Sequence, residues 1–125
     1  MSPETTTALG RRAEDRALAY LESQGLALIA RNHRCRGGEI DLVMRHGAVL
    51  VLVEVRSRSR RDFGGAAASV GARKQRRFVV AARHLLRTRP ELGRLRARFD
   101  VVAIDPGTTP GASTLEWIRD AFRID

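Results

Sequence analysis

The chain has 125 residues and 13.9 kDa, 43% of them hydrophobic and 30% charged, which suits a single folded domain over residues 1–125 and excludes a disordered chain. One cysteine, Cys35, excludes an intrachain disulfide and a cysteine-rich zinc site; no apolar run approaches the ~20 residues of a membrane span, and the opening Met1-Ser-Pro-Glu-Thr-Thr-Thr lacks the blocks of a secretory signal, so a cytoplasmic protein with no membrane partner is expected. Lys+Arg 23 against Asp+Glu 14 leaves +9 and a pI near 11.5, the balance of a protein that meets a polyanion, nucleic acid first among them.

Residues 1–5 read as a loose tail. From Thr6 to Gln24, Leu9, Ala13, Ala17, Leu18 and Leu21 recur at helical spacing, and Gly25 sits where a glycine stops a helix. Leu26 to Arg34 reads as a first strand, Cys35 to Gly38 as a turn, and Glu39 to Met44 as a second strand. Arg45 to Ala48 supplies a tight turn into Val49 to Val55. That run is almost wholly aliphatic, as a central strand covered on both faces would be. Arg56 to Gly65 forms a basic loop. A helix over Ser69 to Thr88 carries Phe78, Ala81, Ala82 and Leu85 on one stripe, and Pro90 and Gly93 end it. Arg98 to Ile104 is a further strand and Asp105 to Ala112 a loop. Thr114 to Phe122 is an edge strand running into a helical turn. The order predicts an α/β domain, a sheet flanked by helices.

Glu54 interrupts the most hydrophobic strand, where an unpaired carboxylate is costly. With a two-residue turn at His46-Gly47, Asp41 faces Leu52 and Glu39 faces Glu54. Strand alternation then sets Glu39, Asp41, Glu54 and Arg56 on one face, with Asp41 and Glu54 diagonal neighbours. Glu14 falls on the buried stripe of the first helix with Ala17, Leu18 and Leu21. Lys74, the one lysine in the chain, and Gln75 precede the inward stripe of the second. Oxygen-rich clusters of this kind hold Mg2+ or Mn2+. In a basic protein such an ion points to phosphodiester hydrolysis, where it activates water and neutralises charge on the phosphate.

Gly38-Glu-Ile-Asp-Leu-Val43, Leu52-Val-Glu-Val-Arg56, Val70 with Lys74-Gln-Arg-Arg77, and Arg98-Phe-Asp-Val-Val102, together with Glu14 and Asn32, resemble the YraN-like family of small bacterial proteins over roughly residues 8 to 122. That family is similar in fold to restriction-endonuclease-like proteins and archaeal Holliday-junction resolvases, the PD-(D/E)XK nucleases. The resemblance implies an αβββαβ core and a metal-dependent, structure-selective DNA endonuclease. It makes Asp41 the first acid of the motif, Glu54 the second, Glu14 the acid of the first helix and Gln75 the helix-borne glutamine. The motif ends in lysine, and here that position is Arg56. Arginine supplies charge but stays protonated, so Lys74 is the alternative cation, and a nuclease fold that binds or assembles on nucleic acid without cutting it is the alternative function.

Arg56, Arg58, Arg60 and Arg61 leave the strand at Glu54's end and are expected to track phosphates. His33, His46 and His84 lack zinc-ligand spacing. Asp100 is expected to pair with an arginine behind the sheet. Trp117 and Phe122 belong to a core or interface, and a homodimer would suit a two-fold symmetric junction.

Overall fold

The computed structural model describes residues 6–57, 71–105 and 111–123, the side chains from Gly10 onward. Arg58, Arg60, Arg61, Val70 and the Gly64-Gly65 pair lie outside the described residues. The elements in chain order are helix α1 (Thr6–Ser23), strands β1 (Ala27–Cys35), β2 (Gly38–His46) and β3 (Val49–Ser57), helix α2 (Ala72–Thr88), a 3-10 turn (Pro90–Arg94), and strands β4 (Arg96–Asp105) and β5 (Thr114–Phe122). They build one five-stranded mixed sheet in the order β1-β2-β3-β4-β5. All neighbours are antiparallel except β3 and β4, whose parallel pairing spans the crossover that includes α2. This is the α/β arrangement expected from the element order, and it is consistent with the restriction-endonuclease-like core that the family resemblance implies, with β5 as an added edge strand.

The aliphatic run of β3 explains its place. Leu50, Val51, Leu52 and Val53 are buried, hydrogen-bonded on both sides and covered on both faces. Leu50 and Leu52 join Ile40, Val43, Phe99 and Phe122 under the Phe78, Ala81, Ala82 and Leu85 stripe of α2. Val51 and Val53 join Leu42, Met44, Val102 and Ile104 under Ala17 and Leu21 of α1. Burial of these aliphatic side chains, roughly 1.5–3 kcal/mol each, drives the sandwich together.

Three local expectations are corrected. The β2–β3 hairpin pairs His46 with Val49 and Leu42 with Val53, so its two-residue loop is Gly47-Ala48, one residue beyond the expected turn. Gly47 takes the first loop position with φ 61°, a left-handed value that a type II′ turn requires and glycine supplies at no steric cost. The slip is even, so the side chains from Leu42 to His46 keep their faces, and the regular pairing ends at Leu42 and Val53, just before Asp41 and Glu54. Second, β3 continues through Ser57, so Arg56 is a strand residue beside Ala103 of β4. Third, β5 stays extended to Phe122. Its irregularity is a bulge against Phe99 and Val101, with Asp120 at φ 53°.

Gly38 opens β2 under α2. A Cβ there would lie 2.1 Å from the Arg77 carbonyl oxygen and 2.9 Å from the Ala81 nitrogen. Both are backbone atoms of one helix and cannot turn aside. Gly38→Ala is therefore expected to cost about 3 kcal/mol, the upper end of ordinary overpacking. A urea midpoint within error of the parent would disprove the close approach.

Candidate active site

The alternation of β2 breaks at Asp41. Ile40 belongs to the core under α2, whereas Leu42 and Met44 belong to the core under α1. The regular β2–β3 pairing ends at Leu42 and Val53. Beyond it, Asp41 Oδ2 accepts the Val55 N–H at 2.8 Å, taking the place of a backbone carbonyl. The carboxylate therefore sits in the seam where β2 parts from β3. Across the other ladder, Arg31 pairs with Leu42 and His33 with Ile40, which sets Asn32 opposite Asp41. Asn32 has φ 52°, a left-handed residue in the interior of a strand.

Two clefts meet at this seam. On the α2 side, a cleft of about 100 Å³ is lined by Glu39, Asp41, Glu54, Lys74, Arg77 and Phe78. On the α1 side, a wider one of about 460 Å³ is lined by Glu14, Asn32 and Arg34, among others, and again by Glu39 and Asp41. The three predicted acids are thus gathered around Asp41 but divided between two clefts, because α1 and α2 cover opposite faces of the sheet. Glu14, with 13% of its side chain exposed against 64% for Asp15, occupies the inward stripe as its spacing predicts. Its Oε1 accepts hydrogen bonds from Arg31 Nη2 at 3.3 Å and Asn32 Nδ2 at 3.2 Å, and Arg31 also meets Asp15 at 2.8 Å.

Glu54 is 14% exposed, and Lys74 Nζ stands 3.3 Å from its Oε1. Lys74 thus reaches in from α2. Glu54 Oε2 is buried with no hydrogen-bond partner. Burial pushes the Asp41 pKa up from 3.8 to about 7; the Val55 hydrogen bond opposes the rise, and the charges of Glu14, Glu39 and Glu54 add to it. Glu39 itself is paired with Arg34 at 3.2 Å on the rim. Arg56 and Gln75 are half-buried, and each has a partner.

Among the described residues, no three His, Cys, Asp or Glu side chains are set to hold a metal ion. Two carboxylates do fit one. Asp41 and Glu54 share the α2-side cleft, and Glu54 brings an orphaned oxygen. Mg2+ is commonly bound through one or two carboxylates while keeping several waters.

Sequence reasoning missed two contacts here. His33 Nε2 and His84 Nδ1 are 3.0 Å apart, joining β1 to α2; burial first, then His84, hold the His33 pKa below the usual 6.5. No sequence signal links two residues 51 positions apart. The hydrogen bond from Asn32 to Glu14 was the second. An asparagine inside a strand pattern is its trace, since asparagine is among the few side chains that accept a left-handed backbone.

The profile of the uncharacterised protein family UPF0102 matches residues 13–104. The chain belongs to UPF0102. The match spans Glu14, Asp41, Glu54, Lys74 and Gln75, and the YraN-like resemblance carried by those motifs is borne out. A UPF0102 protein of Dechloromonas aromatica (strain RCB) is 54% identical over 122 residues, covering 98% of this chain and 94% of the relative. One from Cupriavidus metallidurans is 56% identical over 121 residues, covering 96% and 84%. The UPF0102 protein PputGB1_4524 of Pseudomonas putida is 47% identical over 122 residues, covering 98% of each. No helix among the described residues of this UPF0102 chain is long and apolar enough to cross a membrane.

Proposed function

We propose that this UPF0102 protein is a metal-dependent nucleic-acid phosphodiesterase, a structure-selective DNA endonuclease working in the cytoplasm. The observation that carries the reading is the α2-side cleft: Asp41 and Glu54 side by side, one oxygen of Glu54 buried without a partner, and Lys74 against the other. A buried carboxylate oxygen with nothing to accept from is costly, and a hard cation satisfies it. When bound between Asp41 and Glu54, Mg2+ or Mn2+ would supply an activated water and neutralise charge on the phosphate.

The protein's own groups do the rest. Asp41 is held in the seam by the Val55 N–H. Lys74 brings positive charge where the related motif has it on the strand, while Arg56 holds a phosphate oxygen through its guanidinium. Glu14 supplies a third acid from the α1 side. Arg56 at the end of β3, with Arg58, Arg60 and Arg61 next to it in sequence, would supply phosphate contacts, and a net charge of +9 draws the polyanion in.

The test is incubation of the pure protein with Mg2+ or Mn2+ and single-stranded, duplex, flapped and four-way DNA and RNA. Cutting of a branched DNA is expected, falling at least 100-fold in Asp41→Ala and Glu54→Ala, since each removes a carboxylate that would hold the metal ion. No cutting and no metal binding by calorimetry would reject the enzyme.

One observation favours a second reading, a nucleic-acid-binding or assembly protein on a nuclease fold. Glu54 is already paired with Lys74, and Asp41, its pKa raised by burial to about 7, is only half-ionised near neutral pH, which lowers the negative charge of the cleft with no cation. That reading expects salt-dependent binding that survives Glu54→Ala without any cutting. Sedimentation on a four-way junction would show whether two copies bind together.

A further inference from the structure

We propose that Asn32 is a positioning residue of the acid site, whose left-handed backbone parts the sheet beside Asp41 and whose amide holds Glu14 in the cleft the two acids share. Its value to a bound cation rests on the function proposed above; its hold on Glu14 does not.

Three observations converge. Asn32 adopts φ 52° in the interior of β1. Non-glycine residues rarely take this conformation, and it persists where the surroundings over-determine it. The pairs on either side of Asn32, Arg31 with Leu42 and His33 with Ile40, flank Asp41, the residue at which the alternation of β2 reverses. The irregularities of the two strands therefore coincide at one rung, and that rung opens onto the α1-side cleft. Finally, the side chain is engaged: Nδ2 donates to Glu14 Oε1 at 3.2 Å.

The residue type matters on both counts. Glycine would accept the backbone but brings no donor. Alanine would bring neither the tolerance nor the donor. Arg31 reaches the same Glu14 oxygen, yet its guanidinium is shared with Asp15. Asn32 is a neutral donor, so it fixes the direction of the Glu14 carboxylate without cancelling its charge. Both donors fall on Oε1, and neither takes up Oε2. Outer groups that orient a carboxylate commonly change metal affinity 10- to 100-fold.

The test uses Asn32→Gly, with Asn32→Ala as its counterpart. Asn32→Gly is expected to melt within a few degrees of the parent, because glycine accepts the same φ. Carboxyl-carbon NMR and side-chain relaxation of the metal-free protein should show Glu14 held in the parent and averaged in Asn32→Gly. Calorimetry with MnCl2 should show affinity at least ten-fold weaker. Asn32→Ala should show the same loosening together with a lower melting temperature. If Glu14 is as ordered in Asn32→Gly as in the parent, Asn32 is a turn residue only and the proposal falls; if Glu14 loosens but Mn2+ binds both equally, the part of the proposal that ties Asn32 to the cation falls. If Glu14 loosens while the parent itself binds no Mn2+, the positioning role stands and the metal reading fails.

Discussion

Replacing Asp100 with alanine should cost about 3–5 kcal/mol of folding stability, the range for breaking a buried ion pair by removing one partner. Asp100 is the one fully buried charged residue among those described. Its carboxylate accepts four hydrogen bonds: from Arg98 Nε and Nη2 at 2.9 Å each, from Trp117 Nε1 at 2.8 Å, and from the Asp120 backbone N–H at 2.9 Å. These contacts tie β4 to β5 across the bulge and over-determine the left-handed conformation at Asp120. Alanine removes, at a position that is itself fully buried, the acceptor that all four donors share, and a donor left shielded without a partner carries a desolvation penalty of its own. Urea unfolding should show a lower midpoint at an unchanged slope. A loss under 1 kcal/mol would mean that the donors find water, and that the carboxylate is not the pin of the sheet edge.

The second large effect has the opposite sign. Asp41→Asn should stabilise the metal-free protein at pH 8. The folded pKa of about 7 lies some three pH units above the usual 3.8, and each unit is worth about 1.4 kcal/mol. A carboxyl with a raised pKa favours the fold while it is protonated. Its contribution is therefore complete below about pH 4 and is lost as pH rises through 7. Water at the cleft mouth trims the full figure to about 2–3 kcal/mol at pH 8. Asparagine is neutral throughout and can still accept the Val55 N–H through its amide oxygen. The difference in melting temperature between variant and parent should thus grow from near zero at pH 4 to roughly 5–10 °C at pH 8. A variant less stable than the parent at pH 8 would mean that the hydrogen bond outweighs the desolvation. Saturating Mg2+ should narrow the gap by stabilising the parent alone.

Much of this was legible in the residues. The unbroken aliphatic run of β3 announced a central strand, and the stripe of Phe78, Ala81, Ala82 and Leu85 announced the buried face of α2, because each follows from one element's own periodicity. Glu14 was separable from Asp15 on the same ground. What the chain did not disclose depends on pairs of elements. The hairpin turn was misplaced by one residue because both His46-Gly47 and Gly47-Ala48 contain the glycine, and only the position of the left-handed φ decides between them. The division of the acids between two clefts could not be read from strand alternation, because alternation is the rule that Asp41 breaks. The expected arginine partner of Asp100 is found in Arg98, but no local pattern announced its other donors, Trp117 and the Asp120 N–H of β5.

Gly38 has one more consequence. It lets the start of β2 rest backbone to backbone on the helix turn that carries Arg77, and Arg77 and Lys74 form one jaw of the narrow cleft while Glu39 and Asp41 form the other. The missing methyl is in effect a feeler gauge: its absence fixes how far apart the jaws stand. The aperture in front of Asp41 and Glu54 is set by a residue that contributes no side chain to it.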